Sequence, residues 1–486
     1  MSVTLEQVQE SVETTGLIVE NLAKLNEKVN NMPTIIIPSM PYVIFNGDNT
    51  GQTDVTDKII QTNNTAVTNK TYMVLFPTGD YLIKPDRIVI PEFVEWISFG
   101  NARFFTKETV VYNVFLTMKS GSRLTHLMFD QRQDIAMLPS SQTGKGLHII
   151  HISNVNDVTI SDCTFYPSGV CSVISQHQSL SYGFNINIER NKAIWQRKID
   201  NEFDATVFYV DAMSGRIKDN DISSIKTAFN SWRFETGIEV HSPNMIVENN
   251  TVNGCINGII PTAWGSLYPS FDDTFRGRLM IAKNNLINCV RGISYWGSPV
   301  NGPTTARNVF ILDNYINLKL EKRPKTSYYY PTEGIGLGDH STSTASFVFK
   351  NFQIRGNRIE TTYESGLNPK ALMDYGPSPA LQVGAFNLQT KYPCENIDIS
   401  DNDVDFPLPI FNLKASGSAV HKNIRAYNNR LWNPAIYHTY QGNAVVRFDG
   451  VYNLENINGL IANHAIYGTP IELVQNGVNV SNVTGV

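Results

Sequence analysis

Ile217-Lys218-Asp219-Asn220-Asp221-Ile222 carries the feature that decides the fold, an Asn set between aliphatic residues in the order I-x-x-N-x-[IV]. The same pattern returns as Val247-Glu-Asn-Asn250-Thr-Val252, Ile311-Leu-Asp-Asn314-Tyr-Ile316, Ile354-Arg-Gly-Asn357-Arg-Ile359 and Ile399-Ser-Asp-Asn402-Asp-Val404, with looser copies centred on Cys163, Asn191, Asn285 and Asn429. The intervals fall at roughly 27 to 45 residues, the range in which self-similarity means a solenoid. Flanking aliphatic positions fit short strands, and Asn, which tolerates the left-handed conformation, fits the tight turn between them. Stacked coil on coil, such Asn side chains can pair with their equivalents above and below. The expectation is an all-β chain wound as a parallel β-helix. Nine coils at about 4.8 Å each give a rod on the order of 43 Å for the repeat region.

Composition agrees and excludes several classes. The chain has 486 residues, 42% of them apolar, which is enough for one continuous core along a solenoid. A formal charge of -5 without a long basic run argues against a nucleic-acid partner. The five cysteines, at 163, 171, 255, 289 and 394, have neither metal nor disulfide spacing and read as buried free thiols. No apolar run approaches the 18 residues of a membrane span, so membrane insertion is not expected. Met1-Ser-Val-Thr-Leu-Glu-Gln-Val8 lacks the basic and apolar regions of a secretory signal, which points to synthesis and folding in a cytoplasm.

Residues 1–40 form a different unit. Leu5, Val8, Val12, Thr15, Val19, Leu22, Asn26 and Val29 alternate in three- and four-residue steps, a heptad seam with two polar positions. Asn30-Asn31-Met32-Pro33 and the Pro-flanked Ile35-Ile36-Ile37 read as a neck. The expectation is a short α-helical coiled coil that joins three subunits. Residues 41–440 then carry the β-helix, and residues 441–486, which lose the Asn spacing, read as a terminal cap.

The entry to the rod carries a resemblance. Phe45-Asn-Gly-Asp-Asn-Thr-Gly-Gln-Thr-Asp54-Val-Thr-Asp57-Lys-Ile-Ile-Gln61 is a Gly/Asp turn followed by a helix, which Asp54 or Thr56 caps and Ile59 and Ile60 seal. Val74-Leu-Phe-Pro77-Thr-Gly79-Asp-Tyr81-Leu-Ile83 follows as strand, turn and strand. Together these resemble the D-G-x-x-D-D-T-x-A-I-Q and F-P-x-G-x-Y elements of pectate-lyase-like right-handed parallel β-helix proteins, with Asp57 at the second acidic position and the Ala absent. With the downstream repeats the resemblance covers residues 43 to 440. Added to the N-terminal heptads, the long β-helix looks like a bacteriophage tailspike or tail appendage. That resemblance implies a virion-borne homotrimer, attached to other tail proteins through its N-terminal segment. It also implies binding, and often cleavage, of a bacterial surface polysaccharide or teichoic acid.

A second repeat, Gly-Ile, begins another strand in each coil: Gly237-Ile238, Gly258-Ile259, Gly292-Ile293 and Gly334-Ile335. With Ile inward, strict alternation puts Arg233, Glu235, Glu239 and His241 outside, with Phe234, Thr236, Ile238 and Val240 inside. Neighbouring coils add Thr262 near the level of His241, then Ser294 and Trp296. Paired carboxylates are what glycoside hydrolysis needs, Arg suits an anionic sugar, and Trp offers a flat face to a sugar ring. The longer coils bring loops holding Trp264, Asp272, Asp273, Arg276, Asp339 and His340, where binding and catalysis concentrate on a rigid scaffold. Glu235, Glu239, Asp272, Asp273 and Asp339 are therefore the candidate catalytic residues, with Arg233, His241, Trp264, Arg276, Trp296 and His340 as candidate binding residues. His148 and His151 fall on opposite faces by the same alternation, and no spacing points to a metal or other cofactor. Three functions fit: a depolymerase spike, hydrolase before lyase; a non-enzymatic receptor-binding appendage; or a free-standing pectate-lyase-like enzyme.

Overall fold

The computed structural model describes residues 41–107, 114–130, 148–167, 172–177, 183–197, 205–226, 235–264, 277–298, 304–320, 332–339, 347–363, 383–390, 392–406, 411–415, 420–432, 444–455, 465–467 and 472–481. The heptad segment lies outside them, as do Arg233, Asp272, Asp273, Arg276 and His340.

Among the described residues the strands pair in parallel, and strands within the rod pair with their counterparts one coil before and one coil after, as Glu235–Val240 does. The chain is a parallel β-helix. One coil runs, for example, through Gly215–Lys218, Asp221–Lys226 and Glu235–Val240 before the next begins at Met245–Glu248. Each of these continues a separate parallel ladder along the rod. The interior is filled by one apolar cluster running from Phe45 to Leu431. Like residues stack within it: Phe104, Phe129 and Phe165 lie ring on ring at 5.5 and 5.4 Å. Such stacks follow from the repeat, because equivalent positions in successive coils sit one strand spacing apart.

At the N-terminal end, helix Thr56–Thr68 covers the first coil with Ile59 fully buried, while Ile60 is only partly so. Val55 is the cap residue, and the Asp54 carboxylate accepts the Thr56 backbone N–H at 2.9 Å from just outside the helix. Asn63 fastens the helix to the rod by accepting the Trp96 indole N–H at 2.8 Å. At the other end, strand Ala444–Glu455 pairs in parallel with Phe411–Ala415 and Val420–Tyr427, so the ladder continues beyond residue 440.

The Asn repeat forms a continuous buried ladder through Asn191, Asn220, Asn250, Asn284, Asn314, Asn357, Asn402 and Asn429. In each step the backbone N–H and the side-chain amide of one Asn donate to Oδ1 of the next, at 2.8–3.1 Å. The second amide hydrogen goes to an aliphatic residue's carbonyl, as Asn250 does to Ile217 at 2.9 Å. Cys163 begins the series by donating its N–H to Asn191. Two expectations are corrected here. The ladder member is Asn284 rather than Asn285, which lies in strand Asn285–Cys289. The left-handed residue is the one before each Asn: Asp162, Arg190, Asp219, Asn249, Lys283, Asp313, Gly356, Asp401 and Asn428 have φ between 54° and 69°. The turn needs the positive φ one residue early so that the Asn itself can aim its amide along the rod.

Four cysteines, Cys163, Cys255, Cys289 and Cys394, are free and buried, as their scattered spacing implies.

Candidate functional site

The sheet that carries the Gly-Ile repeat departs from simple alternation, and the departure decides which residues meet. From strand Val114–Met118 to strand Val383–Thr390, two successive residues of each coil face the core. Phe115 and Leu116, Ile149 and Ile150, Val173 and Ile174, and Val207 and Phe208 are all essentially unexposed. In the next four such coils the first of the pair is Gly, and in the one after them it is Ala385. A Cβ on Gly237, Gly258, Gly292 or Gly334 would lie 2.5–2.9 Å from the next coil's backbone carbonyl and strike a core aliphatic side chain as well. Those glycines therefore answer to space. Their backbone φ is ordinary.

Two consecutive inward positions shift the alternation by one residue. The residue just before the pair then shares a face with the residue just after it. Thr236 thus joins Glu239, and Glu235 does not. The Glu235 carboxylate instead accepts the Ser224 hydroxyl at 3.2 Å, and the side chain is buried. The expected Glu235–Glu239 pair on one exposed face is corrected accordingly. The same shift overturns the opposite-face placement of His148 and His151, whose rings stack at 5.9 Å. Burial holds the His151 pKa below its usual value.

On the shifted face, two groups of polar side chains stand in register. The first centres on Glu239, whose side chain is 14% exposed. Its Oε2 accepts the Thr206 hydroxyl at 2.9 Å, and its Oε1 lies 2.8 Å from His241 Nε2. His241 Nδ1 in turn lies 3.3 Å from the hydroxyl of half-buried Tyr209, one coil earlier and directly beside Glu239 in register. His241 N–H bonds to the Val210 carbonyl, and the residue that follows, Asp211, is buried.

The second group lies farther along the rod. Thr206, Thr236, Asn257, Arg291 and Glu333 pair successively across five coils, and all are buried. Asn257 donates to Thr236 at 3.0 Å and accepts from Arg291 Nε at 2.7 Å. The Glu333 carboxylate takes the Ser294 hydroxyl and, at 2.7 Å, the Asn387 amide. Gly336 leaves the room for that carboxylate, since a Cβ there would sit 2.3 Å from it. Half-buried Trp296 is held over this network, with its indole N–H on Ser294 at 3.0 Å and the Arg291 guanidinium 4.9 Å from its ring centre.

Burial raises the Glu333 pKa, and the Arg291 charge and the Ser294 and Asn387 hydrogen bonds oppose it only in part. A raised folded-state pKa means that the folded chain holds this proton more tightly than the unfolded chain. The stabilisation is full below the unfolded carboxyl pKa and is lost as pH rises through the folded one. Denaturation midpoints taken across that range will therefore show Glu333→Gln gaining on wild type as pH rises. A constant difference would assign Glu333 an ordinary pKa.

Of the other expected residues, Asp339 ends strand Thr332–Asp339 opposite Gly297, and Trp264 ends Asn257–Trp264 opposite Ser298, with side chains outside the described residues. Thr262 pairs with Trp296, one column beyond Glu239. Tyr209, Arg291 and Glu333 were not anticipated. The signal was present in the residue preceding each Gly-Ile, which is polar in all four copies. Among the described residues no group of three or more His, Cys, Asp or Glu is arranged to hold a metal.

The sequence matches no protein-family model and no curated protein. The fold, however, is that of phage tailspike β-helices. A single mutant of the tailspike of E. coli bacteriophage HK620, in complex with a pentasaccharide, superposes with a TM-score of 0.61 at 11% identity, covering 90% of this chain and 78% of that one. A double mutant of the same tailspike with the pentasaccharide gives 0.56 at 11% identity, over 90% and 77% of the two chains. A further single mutant with the pentasaccharide gives 0.55 at 12% identity over 89% and 78%.

Proposed function

We propose that this chain is a bacteriophage tailspike that binds a bacterial surface glycopolymer and hydrolyses it at the face built around Glu239, His241 and Tyr209. The observation that carries the reading is a fold shared along nine-tenths of the chain with a spike that holds an oligosaccharide. Hydrolysis is favoured over elimination because the polar face centres on a partly exposed carboxylate beside further acidic groups. Asp211 lies on the sheet diagonal to Glu239, at roughly 8 Å between Cα atoms. Trp296, pinned by Ser294 and Arg291, is a rigid surface on which a sugar ring can stack. Residues 1–40 serve as the trimerising and virion-attachment segment, 41–440 as the receptor groove, and 441–486 as the cap.

The test is incubation of the purified protein with host wall polymer, followed by chain length and end groups. New reducing ends are expected, from a particle with three times the 54.4 kDa chain mass by sedimentation. Unsaturated ends would make it a lyase, and phosphomonoesters would make the substrate a teichoic acid. Tight binding without shortening would leave a receptor-binding appendage.

A further inference from the structure

The hydrogen-bond order around His241 assigns the reacting atom to a different residue from the carboxylate. We propose that Tyr209 is the catalytic nucleophile, with His241 as its proton acceptor and Glu239 as the group that orients His241. This rests on the hydrolytic reading above and goes beyond it by naming the attacking atom and the stereochemical course.

The geometry is a linear relay. Thr206 donates to Glu239 Oε2, Glu239 Oε1 faces His241 Nε2 at 2.8 Å, and His241 Nδ1 faces the Tyr209 hydroxyl at 3.3 Å. An ionised carboxylate only accepts, so Nε2 carries the imidazole proton. Nδ1 is then left with a lone pair directed at the phenol O–H. A nucleophile within reach of a base, and a base fixed by a third group, is the general arrangement for activating a weak oxygen nucleophile. His241 is buried at 1% exposure, and Glu239 and Tyr209 on either side of it are both partly exposed. The tyrosine ring also meets the imidazole edge-on at 4.9 Å, which fixes the hydroxyl relative to Nδ1.

The chemistry balances without an added reactant other than water. Tyr209 Oη attacks the anomeric carbon, its proton passes to His241 Nδ1, and the exocyclic C–O bond breaks. The departing sugar oxygen takes a proton from a water on its own side of the ring, leaving a glycosyl-tyrosine and a hydroxide. That hydroxide attacks the same carbon as the phenol oxygen leaves. The proton held at Nδ1 returns to Tyr209. Two inversions give net retention.

The experiment uses the full chain with host polymer. Tyr209→Phe is expected to slow shortening by about 10²–10⁴-fold, with particle mass and circular dichroism unchanged. Acid quench of wild type during turnover should yield a Tyr209 peptide heavier by one glycosyl unit, and the released ends should retain configuration. Tyr209→Phe activity within about tenfold of wild type, or inverted product, removes Tyr209 from the chemistry and leaves the depolymerase reading standing. A wild type that leaves the polymer intact ends both.

Discussion

Glu239→Gln will lower polymer cleavage by about 10⁴-fold while leaving polymer affinity and folding nearly unchanged, the size of loss that a wrong imidazole tautomer causes in a Ser-His-Asp triad. Glutamine keeps the shape of the side chain, but its amide can donate as well as accept. Donation to His241 Nε2 moves the imidazole proton to Nδ1, the nitrogen 3.3 Å from Tyr209. Two donors then face each other, and the phenol proton has no acceptor. The Thr206 hydroxyl still finds an oxygen at the same place, so the local fold is retained. Glu239→Asp keeps the charge and the acceptor-only character while shortening the reach, and should recover part of the rate. A purely structural role for Glu239 would make the two variants lose stability together with activity. Steady-state cleavage, polymer binding and thermal unfolding of both variants separate these outcomes.

Asn314→Ala will cost about 3–5 kcal/mol of stability, against about 1 kcal/mol for Asn396→Gly. Both residues belong to asparagine ladders, and burial separates them. Asn314 Oδ1 accepts the backbone N–H and the side-chain amide of Asn284, both at 3.0 Å, in the interior of the rod. Its own amide donates to Asn357 and to the Ile281 carbonyl. Truncation strands two donors and a carbonyl where water does not reach. Asn396 lies in the exposed ladder Asn308, Asn351, Asn396 and Asn423, where water can replace each partner. Glycine there also keeps the φ of 57° without a Cβ penalty. Because each coil is supported by its neighbours, a break at Asn314 should also accelerate unfolding of the coils on either side. Denaturation midpoints and unfolding rates of the two variants test this. Equal losses would mean that the buried ladder contributes no more than the exposed one.

The β-helix itself was legible because its determinants are local and repeated. An aliphatic residue three before and two after an Asn fixes a strand, a turn and a strand whatever lies elsewhere in the chain. Buried free cysteines and the short helix at the rod's entry follow from equally local patterns. Asn284 was mistaken for Asn285 because Lys283-Asn284-Asn285-Leu286 offers two adjacent asparagines. Only the turn, with Lys283 at a φ of 54°, selects the first.

The site was legible only in part. Glu239, His241 and Trp296 follow from alternation after each Gly-Ile, where the strand is regular. Glu235 was misplaced because alternation was carried back through Gly237, and two successive inward residues break it there. What the sequence by itself determined is the repeat: one turn, its amide ladder and an apolar core of defined period. Which polar groups meet was decided by tertiary structure alone. Arg291 and Glu333 are adjacent in register only because the intervening chain completes one coil. Tyr209 likewise reaches His241 only because their strands stack. Contacts of that kind depend on how many residues each coil takes to close, and on where two side chains in a row must face inward to fill the core.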